Sequence, residues 1–172
     1  MILNYSNSPV IAKDDCSSIF LAGPTPRSND IKSWREEAIK ILEQLKFDGI
    51  VYIPECNFSS ETFDYNEQVS WEWEAMEEAD IIAFWIPRSE ELPGFTTNVE
   101  FGYWLHTGKV LYGRPDNAKK IKYLDWLYKV DTNMEPYNSI EDLLLSSISK
   151  ANEVGISFEN EMLPLQKRKL LK

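Results

Sequence analysis

Two glutamates stand where a carboxylate could act on an electron-poor carbon. Glu100 follows the loop 93–98 (Pro-Gly-Phe-Thr-Thr-Asn) and falls in the first turn of the helix expected after it. Backbone N–H groups and the positive end of the helix dipole would keep a carboxylate there ionised. Glu72 lies near the start of the preceding acidic helix and can project toward the same crevice. Two carboxylates converging on one crevice suit N- or O-glycosidic chemistry, in which positive charge develops on a sugar carbon. One serves as nucleophile or charge stabiliser and the other as acid/base. Glu100 also admits a plainer role, as a helix-start residue that only caps. Glu74, Glu77 and Glu78 read as a solvated face, and Asp80 as a structural acceptor at the strand end away from the crevice.

Three arginines follow strand-like runs closely: Arg27, Arg88 and Arg114. Forked donors in such places could meet an anionic group on a ligand. The loops around them supply the other candidate substrate contacts: Gly23 and Pro24 in the first, and Phe95, Thr97 and Asn98 in the third. Trp71, Trp73 and Tyr103 could stack a base or simply pack the core. His106 stands alone late on its helix and reads as structural. The sequence contains no glycine-rich phosphate loop, no Gly-x-Gly-x-x-Gly, no Ser/His/Asp order and no His/Cys cluster. Neither a cofactor nor a metal is therefore expected.

Such side chains need a scaffold that brings separate loops together. Short, continuously apolar runs at 19–22, 49–54, 80–86 and 109–113 read as buried strands. Helical spacing or capping patterns mark 31–45 (with Asn29 or Asp30 as cap), 66–79, a segment from Thr97 or Asn98 to Gly108, 117–129, and 139–152. Strands alternating with helices, each strand apolar on both faces, predict an α/β fold. Its form is a flavodoxin-like doubly wound parallel sheet of four to five strands with helices on both faces. Ligands of such sheets sit outside the carboxyl ends of the strands. Residues 1–155 form the expected domain and 156–172 a basic tail.

Composition narrows the function classes. The chain has 172 residues, 43% of them hydrophobic and 13% aromatic. A chain of that length buries roughly two-thirds of its unfolded surface, so disorder as the main state is excluded. The net charge is −10, and residues 55–100 alone carry −11, against −1 for 1–54 and +2 for 101–172. An acid of this size repels a phosphate backbone, so polymeric nucleic acid is not an expected partner. The sequence lacks the run of roughly 18 apolar residues that a membrane span requires. No basic segment followed by an apolar block opens it, and Cys16 and Cys56 match no metal or redox spacing. A cytoplasmic protein acting on a small molecule is the expectation.

Four motifs occur in order: Phe20 to Pro24 (Phe-Leu-Ala-Gly-Pro), Gln68 to Glu72 (Gln-Val-Ser-Trp-Glu), the Ala-Asp-apolar strand from Ala79 to Ile86, and Thr96 to Gly102 (Thr-Thr-Asn-Val-Glu-Phe-Gly). Together they resemble the nucleoside 2-deoxyribosyltransferase-like superfamily over residues 17–130. The resemblance implies cleavage of the bond between a base and a (deoxy)ribose. Glu100 would attack the anomeric carbon to form a glycosyl-enzyme. Glu72, eight positions before Asp80, would move the proton of the base, at a place where the family commonly has aspartate. Transferases of the family tend to carry a second aspartate six residues before the nucleophile, and this chain has Gly94 there. Related hydrolases of nucleoside 5′-monophosphates also lack it, so both transfer and hydrolysis follow from the resemblance. It further implies a homo-oligomer whose subunits complete each other's sites. A dinucleotide glycohydrolase and a catalytically silent nucleotide-binding module are the alternatives.

Overall fold

The computed structural model describes residues 1–27, 30–56 and 64–162. Five strands form one wholly parallel sheet: β1 (Ile2–Tyr5), β2 (Ser18–Ala22), β3 (Ile50–Ile53), β4 (Ile81–Trp85) and β5 (Val110–Gly113). Between and after them lie α1 (Arg35–Gln44), α2 (Tyr65–Glu78), α3 (Phe95–Trp104), α4 (Lys122–Thr132) and α5 (Ile140–Met162). The spatial order is β1-β3-β2-β4-β5. Without β1 this is the flavodoxin-like order 2-1-3-4, with one more strand added outside its second member.

Alternation along each strand divides the core into two. Phe20, Tyr52, Ile82, Phe84 and Tyr112 point to one face, where Trp71, Met76, Phe101, Leu124 and Tyr128 of α2, α3 and α4 cover them. Ile19, Leu21, Val51, Ile81, Ala83 and Leu111 point to the other, beneath Ala38 and Leu42 of α1 and Leu143, Leu144 and Ala151 of α5. Every residue of β2 and β4 is buried. Each large apolar side chain enclosed this way contributes about 1.5–3 kcal/mol. Burial on both faces accounts for the uninterrupted apolar runs in the sequence.

The four strands expected from those runs are present. The edge strand β1 carries no such run: Asn4, 1% exposed, points inward and holds the following loop by donating to Pro9 O and accepting from Ile11 N. Helix starts moved more. The first helix begins at Arg35 rather than 31, with the Ser33 hydroxyl accepting from Arg35 N; Asp30 precedes it by several residues, and Asn29 lies outside the described residues. The fourth helix starts at Lys122 rather than 117. The last continues to Met162, well past 152, from the expected Ser139 cap. The third begins at Phe95, because Gly94 adopts a left-handed φ of 59° and serves as its cap. Glu100 therefore lies in the second turn, not the first, away from the free N–H groups.

At the amino end of the sheet Asp80 ties β2 to β4. Its carboxylate accepts from Ser18 N at 2.9 Å and Ser18 Oγ at 3.0 Å, and pairs with Lys13. Glu78 accepts from Lys13 N at 2.8 Å, so it is a structural acceptor rather than part of the solvated face. Glu74 and Glu77 are exposed. Among the described residues no helix is long and apolar enough to cross a membrane. Asp80→Ala orphans the buried Ser18 donors far from the crevice. It should cost about 2–4 kcal/mol in urea denaturation; an unchanged midpoint would show that Asp80 does not hold the strands.

Candidate active site

The connections from β2 and β4, neighbours in the sheet, leave in opposite directions, toward β3 and β5 respectively. A crevice opens at such a switch point. Here it is a cavity of about 440 Å³ between the exit loops of β2 and β4 and the facing sides of α2 and α3. Gly23 makes the approach possible. Its φ is 147°, and a Cβ there would lie 2.2 Å from Trp85 O and 2.9 Å from the Trp34 ring. Gly94 closes the loop opposite, where a Cβ would meet Pro24 at 3.0 Å. The left-handed backbone at this place suits glycine rather than an aspartate.

Glu72 of α2 and Glu100 of α3 both line the cavity. The expectation that a helix start would hold Glu100 ionised fails. Burial first, and then the charge of Glu72, push its carboxyl from 4.5 up to about 7, while Arg35 opposes the rise. Burial also raises the Glu72 carboxyl, against the hydrogen bond from Gln68 and the charge of Arg35. Gln68 Nε2 donates to Glu72 Oε1 at 3.0 Å, leaving Oε2 as the natural place for a proton. Two carboxyls that resist ionisation side by side are equipped to hold one proton and one charge between them.

Other expected contacts divide. Gly23, Pro24, Arg27, Phe95 and Thr97 line the cavity with the two glutamates. Thr97 is buried, and Phe95 stands at the wall 70% exposed. Trp73 also lines it, edge-on to Tyr103 at 4.5 Å between ring centres. Trp71 does not: it faces the opposite side of α2, where its indole donates to Ser8 O at 2.7 Å. Arg88 is buried beside the cavity rather than in it, bonded to Lys120 O and to Asn98 Oδ1, which also occupies Asn98. Arg114 is clasped by Asp125 and Asn138. Helix faces, and polar or acidic partners near in space but not adjacent in sequence, decide these placements. His106 is exposed and away from the cavity. No group of His, Cys, Asp and Glu side chains among the described residues could hold a metal ion.

Sequence reasoning missed Arg35, and gave Gln68 a place in a motif but no role. Arg35, 1% exposed, opens α1 and borders the cavity. It donates to Leu21 O, Gly23 O, Thr25 Oγ1 and Glu55 Oε1. In the sequence it is one charged residue in a polar helix, with only the adjacent Trp34 to hint at burial. Gln68 sits one helical turn before Glu72, a spacing that could have suggested the bond.

The sequence matches the family described as nucleoside 2-deoxyribosyltransferase like over residues 16–118. Among solved structures, the fold resembles a 2-desoxiribosyltransferase from Leishmania mexicana, with TM-score 0.55 and 16% identity over 77% of this chain and 97% of that one. It also resembles a conserved protein from Enterococcus faecalis V583, with TM-score 0.50 and 21% identity over 78% and 98%. A search of curated proteins gives no match.

The raised Glu100 carboxyl makes stability depend on pH. Folded Glu100 keeps its proton up to about pH 7, whereas the unfolded carboxyl loses it near 4.5, so stability falls as pH rises through that window. Glu100→Gln removes the penalty. In urea denaturation the variant should gain up to about 3 kcal/mol over the parent at about pH 8, and nothing at about pH 4. A gain independent of pH would contradict the assignment.

Proposed function

The chain belongs to the nucleoside 2-deoxyribosyltransferase-like family, and from that premise we propose that it cleaves or exchanges the N-glycosidic bond of a (deoxy)nucleoside or nucleoside 5′-monophosphate. The observation that carries the reading is the meeting of Glu72 and Glu100, from consecutive helices, in one cavity and within each other's electrostatic field. In its ionised form Glu100 attacks C1′ of the sugar. The C1′–N bond breaks, and its electron pair leaves with the base, which takes a proton from Glu72. The glycosyl ester on Glu100 is then resolved by a second base, or by water, with Glu72 acting in the reverse sense. Two displacements at one carbon retain its configuration. Burial favours the protonated form of both carboxyls; the pair shares one proton, and the reactive form is the one that carries it on Glu72 and leaves Glu100 ionised.

Phe95 and Trp73 offer faces on which a base could stack. Arg27 is the candidate for a 5′-phosphate, since Arg88 and Arg114 are bound into the scaffold. Exposed apolar side chains favour assembly of several copies. Phe95, Val99 and Tyr103 follow one another along the outer face of α3, and Tyr123, Trp126 and Val130 along α4. Because Phe95 and Val99 also border the cavity, a neighbouring copy on this face would stand at its mouth.

Incubation with a panel of nucleosides, their 5′-monophosphates and NAD, with and without an acceptor base, should release or exchange a nucleobase. Glu100→Ala should slow this by at least about 1,000-fold. Turnover unchanged in that variant would refute the covalent route, release of nicotinamide alone would point to a dinucleotide substrate, and binding without release to a silent module. Light scattering after size exclusion should find more than one copy per particle. Trp126→Lys should reduce that number if α4 lies in the interface, and a monomeric parent would refute assembly.

A further inference from the structure

We propose that the pair of buried Arg35 with half-buried Glu55 is the electrostatic control of the two-carboxylate cavity: Arg35 holds the exit loop of β2 and fixes a positive charge beside Glu72 and Glu100, and Glu55 sets how much of that charge the glutamates feel. The proposal rests on the reading of Glu72 and Glu100 as the working carboxyls, and assigns Arg35 and Glu55 as positioning residues rather than groups that touch substrate.

The geometry leaves Arg35 little freedom. Its Nε donates to Leu21 O at 2.9 Å and Nη2 to Gly23 O at 2.8 Å, two carbonyls at the carboxyl end of the central strand. Nη1 reaches Thr25 Oγ1 at 3.1 Å and Glu55 Oε1 at 2.6 Å. The guanidinium also lies against the Trp34 ring, 4.7 Å from its centre. Ser33 steadies the partner, its hydroxyl donating to the same Glu55 oxygen at 2.7 Å. One planar cation thus joins β2, its exit loop, the start of α1 and the second residue beyond β3.

Stability alone does not explain such a pair. A buried ion pair seldom stabilises a fold more than apolar side chains of the same volume would. Here the cation borders a cavity that holds two carboxyls. The charged groups facing Glu100 among the described residues are Glu72 from α2, Arg35 from α1 and Arg27 from the β2 exit loop, with Glu55 behind Arg35. Arg35 is the only one of the cations that is wholly enclosed and anchored on several sides. Its charge opposes the rise that burial imposes on both glutamates. Without it both carboxyls would hold their protons more tightly, at the expense of the nucleophile. With Glu55 neutral the unshielded guanidinium would favour ionisation of both glutamates, at the expense of the acid.

The test reads the Glu100 carboxyl directly, by carbon-13 NMR of the ligand-free protein, so its outcome does not depend on whether a nucleoside is cleaved. Glu55→Gln, nearly isosteric at a side chain 21% exposed, should lower the Glu100 midpoint by about one pH unit, and Arg35→Gln should raise it by a similar amount. General loosening of the structure would move both variants the same way, so opposite shifts identify the charge. A midpoint that stays in place or rises in Glu55→Gln overturns the proposal, whatever Arg35→Gln does. In the unmodified protein the Arg35 side-chain resonances should follow the Glu100 midpoint; resonances indifferent to it would overturn the proposal as well.

Discussion

The pairing of β2 with β4 is the constraint on which the rest of the molecule depends. These strands lie side by side, every residue buried, while their outgoing connections turn to opposite edges and opposite faces of the sheet. Nothing can fill the space directly above the junction, because the chain leaves it in both directions. The exit loops and the helices α2 and α3 become walls of a cavity rather than a cover. Gly23 lets the first loop pass within contact distance of Trp85. At the other end of the same strands Asp80 closes the junction with hydrogen bonds to Ser18. One end of the pair is thus tied shut and the other held open.

The open end gathers charge in an enclosed space, which is costly unless some of it is neutralised. Glu72 and Glu100 respond by holding protons more tightly. Arg35 and Glu55 respond by pairing, with four anchoring bonds on the guanidinium. The acidity of residues 55–100 therefore has two parts. Much of it, as at Glu74 and Glu77, is wet helix surface. A smaller part is enclosed, and there the negative potential would favour positive charge on a bound molecule.

The three arginines singled out by position illustrate what spacing along the chain can and cannot predict. Arg27, Arg88 and Arg114 each follow a strand closely, but only Arg27 reaches the cavity. Arg88 turns to Asn98 and the Lys120 carbonyl, and Arg114 to Asp125, partners supplied by α3, by the loop before α4 and by α4 itself. Arg35, in the middle of a polar stretch, is the arginine most deeply placed in the site. Long side chains choose among partners that lie several ångströms apart in directions a sequence does not contain.

Backbone pattern and local order were largely legible in the sequence. Continuous apolar runs marked the four strands that are buried on both faces, and helical spacing, capping or loop signals marked the five helices of the described residues. The motif order put Glu72 and Glu100 on neighbouring helices, although both lie in the middle of their helices rather than near the expected starts. These features depend on short-range periodicity and on how much of each element is enclosed, which residue types report directly. Only the tertiary structure decided the added edge strand, whose inward Asn4 breaks the apolar pattern. It alone displaced the start of α3 to Gly94, where a left-handed backbone meets Pro24, and so moved Glu100 off the helix end. It alone turned a carboxylate expected to be ionised into one whose ionisation is pushed up to about pH 7, because enclosure and the charge of Glu72 come from parts of the chain remote in sequence and Arg35 offsets them only in part. The choice of residue supplies the capacity for charge; the surrounding protein sets whether that charge is carried.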